Sequence, residues 1–324
     1  MSASMKQLTK DIIPITLPTP FQVGPVNTYL IKGDALTLVD TGAKYEQGLN
    51  VLQQQLKEQN VAIRDIEVVV LTHHHPDHIG LLGEFLPHAE VYAHKKVRPW
   101  LKMDSSFIAE KNAFFEKLYK EHGVPERLIE DIDKTNTGYL SLSAQGDIDV
   151  ELSEGREVPG LYGWNVIETP GHAQSHISLY RESDGVLIAG DHIIEHISSN
   201  AIIEAPYEGE TERPKTLLQY RESLKKCRHV NFAYSGHGGP VMNPGELIEN
   251  RLLEQDHKAK QFKNLMGDEP VTCFELCKKR YSHIYEKQPA LTLSETLGHL
   301  DLLESRGEIK HFYQDGLVYY TAIS

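Results

Sequence analysis

No stretch of this sequence is apolar for the roughly 18 to 20 residues that a bilayer crossing takes, and its opening, Met1-Ser2-Ala3-Ser4-Met5-Lys6, leads into polar sequence instead of an apolar signal core. A cytoplasmic protein without a membrane span is expected. Cysteine is scarce: the three present, Cys227, Cys273 and Cys277, are an odd number that argues against a disulfide framework. Cys273 and Cys277 stand where a helix puts both on one face, as reduced structural thiols. Positive charge is also short, with 33 Lys and Arg against 46 Asp and Glu and a formal net charge of −13. Such a field repels polyanions at long range, so nucleic acid is disfavoured as a partner without being excluded, and no membrane partner is expected. Internal repeats and low-complexity tracts are absent. What is present, 40% apolar and 24% charged residues over 324 positions, fits a globular chain of one large domain and a compact appendage.

Short strands are expected at 12–17, 27–32 and 35–40, each bounded by Pro or Gly. A helix follows at 45–59, where Leu49, Leu52 and Leu56 recur at helical spacing. Val68-Val69-Val70-Leu71 reads as a strand buried on both faces. After a strand at 90–93, residues from about 95 to 135 read as an inserted helical lid carrying Trp100, Phe107, Phe114, Phe115 and Tyr119. Strand patterns return at 164–169, 177–181 and 186–189, then a helix at 215–226, a strand at 231–234 and an amphipathic helix at 247–262. The mixture is α/β. Gly267-Asp268-Glu269-Pro270 reads as a linker, dividing 1–266 from 267–324. The second part has helical patterns at 273–281 and 294–305 and two short strands around Gln314-Asp315-Gly316, an order that suggests a winged helix.

The strongest chemical signal is Thr72-His73-His74-His75-Pro76-Asp77-His78, directly after the apolar strand. His73 and His75 are two apart and point to one side, while His74 points away. Asp77 and His78, beyond Pro76, can turn toward the same cavity and add an oxygen and a third nitrogen. Pro170-Gly171-His172, Gly190-Asp191 and Gly236-His237 each follow an expected strand. Each is weak alone, but four strand ends delivering five His and two Asp fit one shared metal cavity.

This series resembles the metallo-β-lactamase fold superfamily, in its branch of glyoxalase II-like hydrolases, over residues 12 to 265. The resemblance implies a four-layered αββα sandwich, with Asp40 of Val39-Asp40-Thr41-Gly42 supporting the ligands from behind. It implies that His73, His75 and His172 hold one metal, that Asp77, His78 and His237 hold a second, and that Asp191 bridges them. β-Lactamases proper commonly place a cysteine at the second metal, and flavodiiron proteins alter the Asp-His pair; neither departure occurs here. The C-terminal part is similar to the winged-helix appendage of β-lactamase-like hydrolases that include a mitochondrial endoribonuclease.

The expected activity is that of a dinuclear metal-dependent hydrolase whose metal-bridging hydroxide attacks an ester, thioester or lactone of a small molecule, with Asp77 orienting the hydroxide or relaying its proton. Zn²⁺ is the expected ion, although the same ligands accept Fe and Mn. His176 is expected beside the ligands and Tyr207 against the substrate. His74 and His192 are read as packing. An RNA endonuclease or phosphodiesterase is the first alternative, prompted by Lys278-Lys279-Arg280, yet residues 271–324 carry six Lys or Arg against seven Asp or Glu. The second alternative is a mononuclear iron oxidoreductase of the persulfide dioxygenase type. The C-terminal module is expected to form a homodimer surface or one wall of the pocket.

Overall fold

The computed structural model describes residues 10–323; the polar opening Met1 to Lys6 lies outside the described residues. Strands β1 (Ile12–Leu17), β2 (Val26–Lys32) and β3 (Leu36–Val39) form an antiparallel meander. Helix α1 (Glu46–Glu58) then crosses to β4 (Val68–Leu71), which pairs parallel with β3. The short helix α2 (Pro76–Ile79) precedes β5 (Glu90–His94). The insertion comprises α3 (Arg98–Lys102), α4 (Ser105–Glu121) and α5 (Glu126–Leu140), after which β6 (Val150–Leu152) completes a sheet of order β1-β2-β3-β4-β5-β6. A second sheet holds β7 (Trp164–Glu168), β8 (Ile177–Arg181), β9 (Val186–Gly190) and β10 (Phe232–Ser235) in the order β10-β9-β8-β7, with α6 (Thr216–Lys226) between its last two strands in sequence.

Alternation along the strands makes the layers. In β4, Val68 and Val70 enter a core shared with Trp164, Ile177 and Ile188, while Val69 and Leu71 face Leu52, Leu56 and Phe85 on the other side. In β9, Val186 and Ile188 face the first sheet, and Leu187 and Ala189 face Tyr220 and Leu224 of α6. The result is helices, sheet, sheet, helices: the αββα sandwich. The insertion runs to Leu140, beyond the expected 135, because no proline interrupts 126–140. Strand β6 escapes sequence reading because three residues carry no alternation.

After β10 come α7 (Pro244–Met266), β11 (Val271–Thr272), α8 (Cys273–Arg280), α9 (Pro289–Ser305), β12 (Ile309–Gln314) and β13 (Leu317–Ala322), with sheet order β11-β13-β12. The turn at Asp315 and Gly316 has positive φ at both residues, 50° and 79°, as a tight hairpin requires. Leu276, Leu297, Leu300 and Tyr320 of this segment belong to the same apolar cluster as Leu187, Ala189 and Phe262. Chain order changes character at residue 267, but the core runs on through it.

Phe262 is fully buried in that cluster. Phe262→Ala should destabilise the protein by about 3–5 kcal/mol through lost burial and the cavity left behind. Urea unfolding monitored by circular dichroism checks this; a loss below about 1 kcal/mol would show that the shared core contributes little.

Candidate metal centre

Three strands of the second sheet run the same way, since β7 and β9 are each antiparallel to β8, and β9 is parallel to β10. Their C-terminal ends therefore deliver His172, Asp191 and His237 to one edge. The first sheet meets that edge: Ile177 N donates to Thr72 O at 2.8 Å, and Asn27 N donates to Gly236 O at 2.7 Å. Within the second sheet, Gly236 N donates to Gly190 O at 2.7 Å. These pairings satisfy backbone groups that would otherwise be orphaned beside the site.

All seven expected ligands converge. His75 Nδ1 lies 3.0 Å from His73 Nε2 and 2.9 Å from His172 Nε2. His237 Nε2 stands 3.3 Å from Asp77 Oδ2 and 3.4 Å from Asp191 Oδ2. Asp191 lies between the two groups, with Oδ1 3.3 Å from His78 Nε2 and Oδ2 3.5 Å from His172 Nε2. His73, His78 and His237 are fully buried, Asp191 is 5% exposed and Asp77 8%, while His75 is partly exposed and marks the open side.

The outer nitrogen of four rings fixes what the inner one can do. His237 donates Nδ1–H to Pro25 O at 2.8 Å, and His172 donates Nδ1–H to Asn200 O at 2.9 Å. Asp40 Oδ2 accepts from His78 Nδ1 at 2.7 Å. The Thr72 hydroxyl donates to Asp40 Oδ2 at 2.8 Å, so its oxygen can accept from His73 Nδ1, 3.0 Å away. Each Nε2 is thereby turned inward, the arrangement that metal-ligating histidines need. Among the described residues, His78 Nε2, His237 Nε2 and Asp191 Oδ1 are buried without a hydrogen-bond partner. Tetrahedral Zn–N bonds of about 2.0–2.1 Å separate donors by about 3.3 Å, close to the spacings here. The donor set therefore fits divalent metal.

Asp40 holds three donors from a costly backbone state. Its φ is 59°, a left-handed conformation that costs a non-glycine residue about 1–3 kcal/mol. Its carboxylate accepts from Thr72 N, the Thr72 hydroxyl and His78 Nδ1. Electrostatics divides the ligands. Burial, then the neighbouring rings, holds His73 and His75 well below the usual histidine range, leaving neutral lone-pair donors. Burial also works against protonated His237, yet Asp191 and Asp77 push it up to about 10, and Asp191, Asp40 and Asp77 likewise raise His78. The carboxylates gathered around these two rings mark where positive charge is wanted.

His176 accepts Asp191 N at Nε2 (3.1 Å) and sits 2.8 Å from Thr169 Oγ1 through Nδ1, so it fixes the backbone that carries Asp191. His74 points away from the ligands, stacking on Trp100 with centroids 4.0 Å apart and pairing with Ser175 Oγ. His192 turns from the centre toward Tyr220. Tyr207 is buried on the insertion side; it donates to Glu204 Oε2 at 2.8 Å and accepts from Trp100 Nε1 at 2.8 Å. Glu204 gave no signal in sequence, lying in a loop without a motif. Its other oxygen accepts Gln174 N at 2.6 Å, and burial pushes its carboxyl up to about 7. Gly236 was legible only as part of the His237 motif: a Cβ there would stand 2.1 Å from Asp191 Oδ1 and 3.0 Å from His78 Cε1.

An αββα sandwich with a mixed His and Asp cluster on the joined edges of its sheets defines a metal-binding hydrolase architecture. The family description "Metallo-beta-lactamase superfamily" matches residues 21–234. The chain is 39% identical over 320 residues to "Probable metallo-hydrolase YqjP" of Bacillus subtilis, covering 96% of this chain and 98% of that one. It is 26% identical over 310 residues to "Beta-lactamase-like protein 2 homolog" of Caenorhabditis elegans, covering 93% and 83%. The crystal structure of the metallo-beta-lactamase family protein TTHA1429 from Thermus thermophilus superposes with a TM-score of 0.81 at 27% identity, covering 98% of this chain and 100% of that one. The chain belongs to the metallo-beta-lactamase superfamily, and its enzyme class is metallo-hydrolase.

Two outcomes follow from the site. Gly236→Ala should abolish most metal uptake while the fold persists, read by elemental analysis beside circular dichroism; full metal content in the variant would contradict the close packing. Glu204 binds its proton more tightly folded than unfolded, so stability should fall as pH rises from about 4.5 to about 7. Glu204→Gln should flatten that slope in thermal melts, and an unchanged slope would place the titration elsewhere.

Proposed function

We propose that this chain is a dinuclear metal-dependent hydrolase of small acyl substrates: esters, thioesters or lactones. The single observation that carries the reading is Asp191, set between a three-histidine group and an Asp77-His78-His237 group, with a carboxylate oxygen toward each. Two divalent ions, Zn²⁺ by preference, would supply water of lowered pKa and polarise the scissile carbonyl. No serine or cysteine nucleophile is then required, in keeping with buried thiols at Cys227, Cys273 and Cys277.

The residues divide the remaining work. His73, His75 and His172 would hold one ion, and Asp77, His78 and His237 the other. Asp77 Oδ2 can accept a proton from the attacking water and hold it toward the leaving group. Asp40 keeps His78 in register through Nδ1, and His176 fixes the turn that presents Asp191. Near burial of the cluster excludes bulk water from all but the His75 side. A small-molecule substrate agrees with the net charge of −13, which disfavours extended polyanions.

We read the segment 267–324 as a winged-helix module, on the order of β11, α8, α9 and the β12-β13 hairpin. Its role as a pocket wall is supported by Ile203 N, which donates to Ser294 Oγ of α9 at 3.2 Å, three residues from the Asn200 carbonyl that anchors His172.

His75→Ala and Asp191→Ala should each lower metal content and acyl hydrolysis together, by at least about 100-fold in kcat/KM. Elemental analysis and a panel of ester, thioester and lactone substrates test this; a fully active variant without metal would refute the assignment.

A further inference from the structure

Lys111 has no role in the site described above. It lies on α4 of the insertion, only 8% exposed, and its ammonium makes no ion pair or hydrogen bond among the described residues. Its neighbours are aromatic faces: Nζ stands 5.9 Å from the Trp100 ring centre and 5.7 Å from that of Phe115. Burying an ammonium against π faces, with no carboxylate within ion-pair distance among the described residues, is costly, and a fold that keeps one there needs a reason.

Position supplies that reason. The Trp100 ring beside Lys111 stacks on His74, whose ring is 4.8 Å from that of His75, the ligand on the open side of the metal centre. Burial draws the Lys111 ammonium down from the ordinary lysine range, and only the Asp133 carboxylate opposes this. An anion brought in by a ligand would relieve that penalty.

We propose that Lys111 is a specificity-determining residue of the acyl site, binding a carboxylate carried by the substrate while Trp100 packs against the chain between that carboxylate and the scissile bond. This rests on the acyl-hydrolase reading given above. A single ammonium with no arginine fork beside it suits a monoanionic carboxylate better than a phosphate dianion, which calls for more donors.

The test compares 4-nitrophenyl hydrogen glutarate with its methyl ester, which replaces the terminal charge by a neutral methyl ester, with release of 4-nitrophenolate as the readout for both. Wild-type protein should prefer the free acid in kcat/KM by about tenfold or more; Lys111→Met should lower that ratio about tenfold, and Lys111→Arg should keep most of it. Calorimetric titration with glutarate gives a readout independent of turnover, and its affinity should fall with the methionine variant. A wild-type preference for the methyl ester, or an unchanged ratio and unchanged glutarate affinity in Lys111→Met, overturns the proposal; if the methionine variant does not fold, the wild-type preference decides alone. Glutarate binding that depends on Lys111 without hydrolysis of either ester would support the carboxylate site and refute the acyl-hydrolase reading instead.

Discussion

The molecule depends on one junction, where the edges of two sheets are joined by backbone hydrogen bonds at Thr72, Asn27 and Gly236. Seven polar side chains project from that edge, and several are wholly buried. Burying so many lone pairs and charges is affordable only when the groups behind them are already paired and a cation can satisfy those in front. The junction does both: it pairs the backbone at the strand ends and aims the side chains at a common volume.

Orientation of the histidines follows from the same economy. A neutral imidazole has one N–H and one lone pair, so whichever nitrogen meets a fixed acceptor decides where the lone pair points. Pro25 O and Asn200 O can only accept, and Asp40 does so as a carboxylate; Nε2 of His237, His172 and His78 is therefore turned inward. These partners come from segments distant in sequence, including the first loop of the chain and the loop before Tyr207. The centre is thus a property of the assembled sandwich more than of any one motif.

The outer layers are tied to this centre. The insertion brings Trp100 and Phe107 to Tyr207, and Tyr207 reaches Glu204, whose other oxygen holds the turn after His172. On the opposite side, α9 packs on α6 and meets the loop at Ile203 through Ser294. A loop held from both sides can present the Asn200 carbonyl in a fixed place, which a solvated loop could not do.

Sequence by itself determined the strand ends and their ligand types: an apolar run such as Val68 to Leu71 must be buried, and the polar residues that follow it must sit at its end. Alternation and spacing also made His73 and His75 point one way and His74 the other. Only the tertiary structure decided which carbonyls anchor the rings, that Glu204 is buried, and that Lys111 lies against Trp100. The reason is physical: periodicity records which face of an element is buried, whereas hydrogen-bond partners and stranded charges depend on which distant segments the packing brings together.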